Sequence, residues 1–456
     1  MGSVDEAAKA ARKEAKRAAK KAAKAADAVE VAVEGEVAKE KKEKKKKRKR
    51  SEEEMADPAA EGEKKKKKKD KSKEGEFTVS AENPVTAEET AAFLKEHNIT
   101  LQGPEAENIR PVLQFAHSGL PASLLSCTAS FAKPTPIQST TWPILAKGKD
   151  LVGIAETGSG KTLAFALPAL HHIMQLPESE KSKTHGPLVL VLAPTRELAL
   201  QTQATFETAA KAIHLQSQCI YGGVPKHAQK AALRSNPAVL VATPGRLIDL
   251  MDEGSIDVSN TRYLILDEAD RMLDQGFEPD IRKIIGCVPP KDQRRTNMFS
   301  ATWPEAIRKL AHEFLNDPVR VAIGSTALAT SQTVTQHVMV IDNPQDKQYK
   351  LLELLKKCHK AGNRILIFVL YKKEVPFLER VLRQRGYTVG SLAGDKAQRD
   401  REAALEGFKD GSVPILVATD VAARGLDISG VEYVINYTFP LTIGIFEDTT
   451  LFTQDS

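Results

Sequence analysis

A glycine-rich segment at residues 155–162 has the residue types and spacing needed to bind phosphate. It reads AETGSGKT and lies between an apolar run at 150–154 and a helix-forming run at 163–170. Glycines let backbone N–H groups converge on phosphate oxygens, and the start of the following helix favours negative charge. In such a loop the lysine binds the β- and γ-phosphates, and the hydroxyl residue ligates Mg²⁺. The predicted nucleotide-binding residues here are Ala155, Thr157, Gly158, Ser159, Gly160, Lys161 and Thr162.

An acidic tetrapeptide, Asp267-Glu268-Ala269-Asp270, follows another apolar run at 263–266. A carboxylate at the carboxyl end of a buried strand lies where ligands bind in open α/β sheets. Asp267 suits a Mg²⁺-holding role, and Glu268 suits the residue that positions and polarises the attacking water. Alone, such a tetrapeptide is more typical of a helix N-terminus, but its position after a phosphate loop favours hydrolysis of a nucleoside triphosphate. The predicted catalytic residues are therefore Glu268, Lys161 and Asp267, with Thr162 and Asp267 as metal ligands.

Alternating strand-like and helical runs must position these groups. Short apolar, β-rich runs occur at 188–193, 238–242, 263–266, 297–299, 365–369 and 415–418, separated by helical stretches. Runs of this kind indicate buried parallel strands joined by crossover helices. A small, polar segment at 324–333 interrupts the pattern and is typical of a linker. We therefore predict an α/β protein with a flank at 77–106, a first domain at 107–323, the linker at 324–333, and a second domain at 334–456.

The first 76 residues differ in composition from the rest of the chain. They hold 26 Lys and Arg against 18 Asp and Glu and no aromatic residue, whereas residues 77–456 hold 40 basic and 42 acidic residues. The overall net charge of +6 is thus a property of this segment. Its lysine blocks repel one another and bury little apolar surface, so we predict a disordered tail at 1–76. Such a tail either improves solubility or serves nuclear import and nonspecific RNA contact.

The cysteines and the apolar runs indicate the compartment. No two cysteines form a C-x-x-C pair, which argues against a zinc site and a disulfide framework and favours a reducing compartment. The chain has no signal-peptide core at its start and no run of about 18 apolar residues that could span a membrane. We therefore expect a soluble intracellular protein. The four cysteines are Cys127, Cys219, Cys287 and Cys358.

The pair AETGSGKT and DEAD resembles the motifs of the DEAD-box ATP-dependent RNA helicases, and the resemblance covers about residues 107–440. The family implies two tandem RecA-like α/β domains with parallel sheets, ATP and Mg²⁺ as cofactors, and ATP hydrolysis coupled to local RNA unwinding. The segment FAKPTPIQ at 131–138 is similar to the family's adenine-recognition motif. It implies adenine contacts by Phe131 and Gln138 together with the upstream Phe115, because an aromatic stacks on a base and an amide reads its edge.

Further segments resemble the family's RNA-contacting motifs: PTRELA at 194–199, GG at 222–223, TPGR at 243–246, and stretches near 394–401 and 418–427. Their hydroxyls, amides and guanidinium groups suit the sugar-phosphate backbone, which implies weak sequence specificity and selection of RNA through 2′-hydroxyls. The segment SAT resembles the motif that couples hydrolysis to strand separation, with the coupling residues Ser300, Ala301 and Thr302. Asp427 matches a nucleotide contact. The implied RNA-binding residues are Pro194, Thr195, Arg196, Gly222, Gly223, Thr243, Pro244, Gly245, Arg246, Gln398, Arg401, Thr419 and Asp420.

The C-terminal stretch departs from the family pattern. After Tyr437 the family continues into a helix with an H-R-x-G-R-x-G-R motif, whereas this chain reads TFPLTIGIFEDTTLFTQDS, with no Lys, Arg or His after Arg424. Arginines of this kind increase the rate of phosphoryl transfer about 10³–10⁵-fold. We therefore expect an incomplete second domain with exposed apolar sheet surface, a strand near 449–454, and ATP binding with reduced RNA-stimulated hydrolysis.

Three functional interpretations follow. The first is a nuclear helicase: the lysine-rich extension resembles that of nucleolar family members serving ribosome assembly, which implies pre-rRNA as substrate, assembly factors as partners, and a monomer. The second is a catalytically impaired RNA- and ATP-binding isoform, favoured by the missing arginine motif. The third is a DNA translocase or another P-loop ATPase, which the adenine motif and the DEAD tetrapeptide disfavour.

Overall fold

The computed structural model describes residues 85–181, 185–324, 335–360, 362–394, 396–419, 428 and 430–440. Within them the chain folds into two α/β domains, each built on one sheet. Several predicted features lie outside the described residues: the tail at 1–76, the start of the flank, most of the linker, and the strand near 449–454.

The sheet of the first domain has its strands in an order that requires crossovers. They are β1 (Ile99–Gln102), β2 (Leu151–Ile154), β3 (Val189–Leu192), β4 (Ser217–Ile220), β5 (Val239–Ala242), β6 (Tyr263–Leu266), β7 (Arg295–Ser300) and β8 (Val319–Ile323). Across the sheet the order is β1-β8-β2-β7-β6-β3-β5-β4. All neighbouring pairs are parallel except β1 and β8. Because β1 lies within the predicted flank, the sheet extends to the N-terminal side of the boundary predicted at 107.

Helices cover both faces of this sheet. They are α1 (Ala87–Glu96), α2 (Ala122–Leu125), α3 (Pro136–Ala146), α4 (Lys161–Gln175), α5 (Glu178–Lys181), α6 (Arg196–Lys211), α7 (Lys226–Leu233), α8 (Pro244–Asp252), α9 (Ala269–Asp274), α10 (Glu278–Ile285) and α11 (Glu305–Phe314). On one face Phe165 and Phe206 pack with Val191 of β3, and on the other Leu247 and Met272 pack with Leu190. Since successive residues of a strand point to opposite faces, both kinds of position in β3 must be apolar.

The second domain has a smaller sheet, all of it parallel. Its strands are β9 (Ile365–Val369), β10 (Val389–Leu392), β11 (Ile415–Thr419) and β12 (Tyr433–Asn436), in the order β10-β11-β9-β12. Its helices are α12 (Lys347–Cys358), α13 (Glu374–Gln384) and α14 (Gln398–Lys409). Apolar side chains are exposed in this domain: Tyr433 of the edge strand is 37% exposed, and Val338 and Val340 are 82% and 84% exposed.

The predicted fold class, tandem α/β domains with parallel sheets, is confirmed. The apolar runs at 188–193, 238–242, 263–266, 297–299, 365–369 and 415–418 coincide with β3, β5, β6, β7, β9 and β11. The four cysteines, all within the described part, are unpaired. Among the described residues, no helix combines the length and apolar character needed to cross a bilayer.

Candidate functional site

The predicted functional residues of the first domain gather at one edge of its sheet. In a parallel sheet all carboxyl ends of strands lie at the same edge. The glycine-rich loop follows β2, the acidic tetrapeptide follows β6, and the coupling segment begins at the end of β7. The PTRELA, GG and TPGR segments follow β3, β4 and β5. The sheet therefore brings the two sets of residues, nucleotide-binding and RNA-binding, to neighbouring positions.

The glycine-rich loop joins β2 to α4 and folds around its own lysine. Gly158 and Gly160 have φ of +77° and +89°, which is the left-handed region that glycine adopts without steric cost. Lys161 begins α4, and its Nζ donates to the carbonyl oxygens of Ala155 (2.7 Å) and Glu156 (2.8 Å). Burial lowers the pKa of Lys161, while the nearby Glu268 and other carboxylates oppose this shift. The ammonium group thus lies between the loop and the acidic residues, a position suited to a phosphate ligand.

Gln138 connects the predicted adenine motif to this loop. Its side chain is 3% exposed, its Oε1 accepts from the backbone N–H of Thr135 (3.1 Å), and its Nε2 donates to the carbonyl oxygen of Gly160 (3.1 Å). A Cβ at Gly160 would lie 2.6 Å from Gln138 Nε2, so this approach requires glycine. A primary amide still has one N–H and one acceptor site to offer after two such bonds. Gln138 can therefore hold the loop and contact a base edge at the same time.

The two predicted adenine-contacting aromatics lie in different environments. Phe131 is 54% exposed, so its ring is available to stack on a base. Phe115 instead packs against the first-domain core, with its ring centroid 6.0 Å from that of Trp142. The structure thus places Phe131 as the open aromatic surface and Phe115 as a partly buried ring beside the helix that carries Gln138.

Two carboxylates are buried at the carboxyl end of β6. Asp267 and Glu268 are each 3% exposed. Glu268 has φ of +52°, a conformation rare for residues other than glycine, and its Oε2 lies 3.2 Å from Nε of Arg271. Burial and the charge of Glu268 raise the pKa of Asp267 to about 7, while Lys161 opposes the rise. Backbone strain and pKa shifts concentrate at functional sites because folding alone does not favour them.

These residues fit a nucleoside triphosphate with its metal ion. The loop offers backbone N–H groups and Lys161, and the half-buried Thr162 offers a hydroxyl at the start of α4. A cation would offset the cost of ionising Asp267 in its buried position. Within the described ranges, no three His, Cys, Asp or Glu residues are arranged to hold a metal alone. Mg²⁺ usually takes only one or two carboxylates and keeps waters and phosphate oxygens as its other ligands, so Thr162 and Asp267 suffice.

The predicted coupling segment contacts both the phosphate loop and the acidic tetrapeptide. Thr302 donates from its backbone N–H (2.9 Å) and from its hydroxyl (2.8 Å) to one carboxylate oxygen of Asp270. The carbonyl oxygen of Ser300 accepts from the backbone N–H of Ala155 at 3.1 Å. The Ser300 hydroxyl is buried and makes no hydrogen bond with the described residues, and Ala301 between them is half-buried. Residues 300–302 are thereby hydrogen-bonded to both the phosphate loop and the acidic tetrapeptide.

A groove of about 600 Å³ collects most of the predicted RNA-binding residues of both domains. It contains residues from the loops after β3, β4 and β5 in the first domain and from the carboxyl ends of β9, β10 and β11 in the second. Pro244 begins α8 beside the groove, whereas Asp420 and Asp427 lie outside the described residues. The predicted RNA-binding residues that line it are Pro194, Thr195, Arg196, Gly222, Gly223, Thr243, Gly245, Arg246, Arg401 and Thr419.

The two domains touch through residues of this groove. Arg401 Nη2 of the second domain lies 2.6 Å from Glu197 Oε1 of the first, and both side chains are 6% exposed. Next to this pair, Arg196 Nη1 donates to Gln398 Oε1 at 3.2 Å. Burial lowers the pKa of Arg401, and the charge of Glu197 opposes the shift. Residues predicted to bind RNA therefore also bind each other across the domain boundary.

Some predicted RNA-binding residues also shape the groove itself. Arg246 is 8% exposed and donates to Gln229 Oε1 (2.8 Å) and to the carbonyl oxygen of Val224 (3.0 Å), which fixes the loop after β4. A Cβ at Gly223 would lie 2.3 Å from Arg196 Nη1, so glycine is required there for the guanidinium to cross the loop. Thr195 caps α6, because its hydroxyl accepts from the backbone N–H of Leu198 at 3.3 Å.

Sequence reasoning missed several lining residues. Lys372 extends the positive charge of the groove and lies close to Gly394, where an added Cβ would be 3.7 Å from its Nζ. Lys372 could have been predicted from the sequence, because it follows the apolar run at 365–369 just as the RNA-contacting motifs of the first domain follow their strands. Glu197 was visible within PTRELA, but its pairing with the second domain was not. The other missed lining residues are Asp249, Gln275 and Phe277.

Comparison with known proteins decides the family. A model of the DEAD/DEAH box helicases matches residues 135–310, and one of the helicase conserved C-terminal domain matches residues 346–454. Over 355 residues the chain is 49% identical to the ATP-dependent RNA helicase DBP3 of Kluyveromyces lactis, covering 77% of this chain and 69% of that protein. This chain belongs to the DEAD-box RNA helicases. It is also 48% identical over 378 residues to DBP3 of Mycosarcoma maydis. That alignment covers 79% of this chain but only 64% of the relative, so the chain spans less than two thirds of that protein's length.

Solved structures of other DEAD-box proteins share the fold. The yeast DEAD-box splicing factor Prp28 superimposes with a TM-score of 0.51 at 31% identity, over 80% of this chain and 84% of that one. Dbp5 of S. cerevisiae bound to RNA and ADP BeF3 does so with a TM-score of 0.63 at 28% identity, over 74% and 85%. The two domains of this helicase family member are therefore RecA-like, as the motifs implied.

Proposed function

We propose that this DEAD-box protein is an ATP-dependent RNA helicase that couples ATP hydrolysis to local unwinding of RNA duplexes. The observation that carries the proposal is the groove shared by the two domains, to which both contribute predicted RNA-binding residues. A nucleotide site lies at the same edge of the first sheet, and residues 300–302 link its phosphate loop to its acidic residues. Binding of both ligands would then favour one arrangement of the domains.

In the nucleotide site, Lys161 and the loop N–H groups would bind the phosphates, and Thr162 and Asp267 would hold Mg²⁺, which would offset the negative charge of the phosphates. Bound ATP supplies the phosphoryl group that is transferred to water. Glu268 orients that water and accepts its proton, which suits a carboxylate held in a buried, strained position. Phe131 and Gln138 select adenine by stacking and by contacts to the base edge.

In the groove, binding is directed to the RNA backbone. Hydroxyls, glycine amides and guanidinium groups at this site match phosphates and 2′-hydroxyls, and the motifs that supply them are not of a base-reading type. We expect little dependence on base sequence. Disruption of a duplex then follows from the shape that the joined domains impose on one strand.

We further propose that the protein works as a monomer in the nucleus, within the nucleolus, on pre-rRNA together with ribosome-assembly factors. The support is the basic segment at 1–76, with 26 Lys and Arg against 18 Asp and Glu. Such clusters suit both nuclear import and contact with polyanionic RNA. A fluorescent fusion of the full chain, compared with one in which the lysines at 41–50 and 64–69 are replaced by glutamine, tests the location. Equal nuclear signals would contradict it.

The proposal is tested by measuring ATP hydrolysis with and without single-stranded RNA. Lys161→Ala, which removes the phosphate-binding ammonium, and Glu268→Gln, which removes the base, serve as matched blanks. We expect a rate with RNA that exceeds both blanks and that DNA of the same sequence does not reproduce. A rate equal to the blanks, with ATP still bound, would refute the helicase and leave an RNA- and ATP-binding protein. Equal stimulation by DNA would instead indicate a DNA translocase.

A further inference from the structure

A second cavity lies at the opposite edge of the first-domain sheet, away from both proposed ligand sites. It has a volume of about 530 Å³ and is formed by residues at the amino ends of β2, β6, β7 and β8. The strands between the two edges have four to six residues, about 13–20 Å at ~3.3 Å per residue. The cavity is therefore separate from the groove and from the phosphate loop.

The cavity is lined only by polar, charged and glycine residues within the described part of the chain. Basic side chains outnumber acidic ones five to three, and three of the basic residues have structural contacts outside the cavity. Lys149 pairs with Glu105, with 3.2 Å between Nζ and Oε1. Arg294 donates to Thr296 Oγ1 and to the carbonyl oxygen of Phe314, both at 3.0 Å, and Lys291 donates to the carbonyl oxygen of Leu315 at 3.2 Å. The charged lining residues are Lys149, Arg262, Lys291, Arg294, Arg295, Asp150, Asp292 and Asp317.

Two arginines of the lining have side-chain N–H donors that form no hydrogen bond with a described residue. The half-buried Arg295 makes no side-chain hydrogen bond or ion pair with any residue that the structure describes. Its guanidinium lies over Gly148, where a Cβ would be 2.9 Å from Nη2. The Nε of Arg262 is buried without a hydrogen-bond partner, and its Nη2 makes only a 3.5 Å contact with Glu180. A buried donor at a cavity wall, as Nε of Arg262 is, can serve an anionic ligand.

Of the three acidic residues in the lining, Asp150 has its carboxylate engaged by the backbone. Asp150 is occupied by two backbone N–H groups, of Thr296 (2.8 Å) and Asn316 (2.7 Å), so it cannot pair fully with an arginine. Burial, followed by the charge of Arg295, lowers the pKa of His172 to about 3. The imidazole is therefore neutral near pH 7, and the arginines supply the charge of the site.

We infer that this cavity binds phosphate groups of an RNA backbone, as a second RNA contact at the edge opposite the groove. Guanidinium groups bind phosphates with geometric fit and are the usual residues for this purpose. An acidic peptide is the competing anionic ligand, but stable protein interfaces need buried apolar or aromatic anchors, and this lining has none. The inference rests on the proposed RNA substrate and adds a contact that only RNA longer than the groove can reach.

The test compares the affinity of two single-stranded RNAs, of about 8 and about 30 nucleotides, by fluorescence anisotropy over a range of salt concentrations. Arg295→Gln removes the unpaired guanidinium, and it removes no hydrogen bond seen among the described residues, so the fold should persist. Arg282→Gln is the matched control, because Arg282 lies on α10 outside the cavity and pairs with Glu278 at the surface. For a contact to about one phosphate, we expect Arg295→Gln to weaken binding of the long RNA about threefold. The slope of the logarithm of its binding constant against the logarithm of the salt concentration should become shallower by about 0.7.

The outcomes separate this inference from the proposed function. Binding of the short RNA by the unaltered protein, unchanged in Arg295→Gln, supports the groove, and a loss confined to the long RNA supports the second site. Equal affinities of Arg295→Gln and Arg282→Gln for the long RNA would overturn the inference and leave the proposed function intact. Binding of a poly-glutamate peptide that Arg295→Gln abolishes, without any effect on RNA, would overturn it in favour of an acidic protein partner. Failure of the unaltered protein to bind either RNA would overturn both.

Discussion

The buried pair between Glu197 and Arg401 leads to a quantitative prediction about domain closure. An acidic residue in an RNA groove should repel phosphate, so its presence there needs a reason. With both side chains 6% exposed and 2.6 Å between Nη2 and Oε1, this carboxylate neutralises Arg401 and ties it to the first domain. We predict that Glu197→Gln removes a contribution made only when the two domains are together.

The magnitude follows from the burial of the pair. Removing one partner of a buried ion pair costs about 3–5 kcal/mol, largely because the other charge stays buried and unpaired. The pair lies at an open groove that water can enter, so we take ~3 kcal/mol, which is about 150-fold in an equilibrium constant. Glu197→Gln should therefore lower RNA affinity in the presence of an ATP analogue by about 100-fold. Affinity without nucleotide should stay equal or rise slightly, since a negative charge has left the groove.

The assay is RNA binding by anisotropy, with and without ADP–BeF3, for five proteins: the unaltered protein, three variants of the pair and one control. Glu207→Gln is the control on the same helix, because Glu207 pairs with Lys211 at 2.7 Å on the surface, where ion pairs contribute about 0–1 kcal/mol. Arg401→Gln and the double variant with Glu197→Gln complete a double-mutant cycle. The coupling would be refuted if ADP–BeF3 increased the RNA affinity of Glu197→Gln as much as that of the control. It would also be refuted if the losses of RNA affinity in the two single variants added up to the loss in the double variant.

Three other predictions concern the first domain. Gly160→Ala should abolish ATP binding, measured by titration calorimetry, because φ is +89° and the added Cβ would lie 2.6 Å from Gln138 Nε2; retained affinity would contradict the loop geometry. Thr302→Val should leave ATP affinity within about threefold but reduce unwinding per ATP hydrolysed, because it removes the 2.8 Å bond from the hydroxyl to Asp270, worth about 1 kcal/mol or more; an unchanged ratio would exclude this coupling. Burial raises the pKa of Asp150 from 3.8 to about 6, so the folded state binds the proton more tightly than the unfolded state. The free energy of unfolding therefore falls as the pH rises from about 4 to about 6. Urea unfolding should therefore show Asp150→Asn gaining up to ~3 kcal/mol relative to the unaltered protein between pH 4 and pH 7, and a constant difference would refute it.

Much of the fold could be predicted because β3, β5, β6, β9 and β11 are covered on both faces. Such strands need apolar residues at every position, which produces the uninterrupted runs seen in the sequence. The strands that were missed have weaker patterns. β4 reads SQCI and is only partly buried at its first three positions, while β10 contains Gly390 and Ser391. β1 lies beyond the predicted domain boundary, and its pairing with β8 is a long-range contact without a local signal.

The candidate site could be predicted as residue types but not as contacts. Spacing after a strand indicates that Lys161 and Asp267 face a ligand, because that rule is local to each loop. The pairing of Glu197 with Arg401, and of Arg196 with Gln398, joins residues about 200 positions apart and depends on how the two domains meet. Phe115 shows the same limit, because its packing against Trp142 follows from the fold of the first domain and not from its neighbours in sequence.

The strand order of the first sheet places the predicted nucleotide-binding and RNA-binding residues on two adjacent groups of strands. The strands that carry the nucleotide residues, β2, β7 and β6, are contiguous, and so are those that carry the RNA residues, β3, β5 and β4. The two groups meet at the pairing of β6 with β3, where Leu266 is level with Leu192. Asp267 and Ala193 follow at that junction, so the acidic tetrapeptide and PTRELA leave adjacent strands at the same height. The acidic tetrapeptide therefore follows a strand only one spacing, about 4.8 Å, from the strand that leads to Glu197, which gives the proposed coupling a short path.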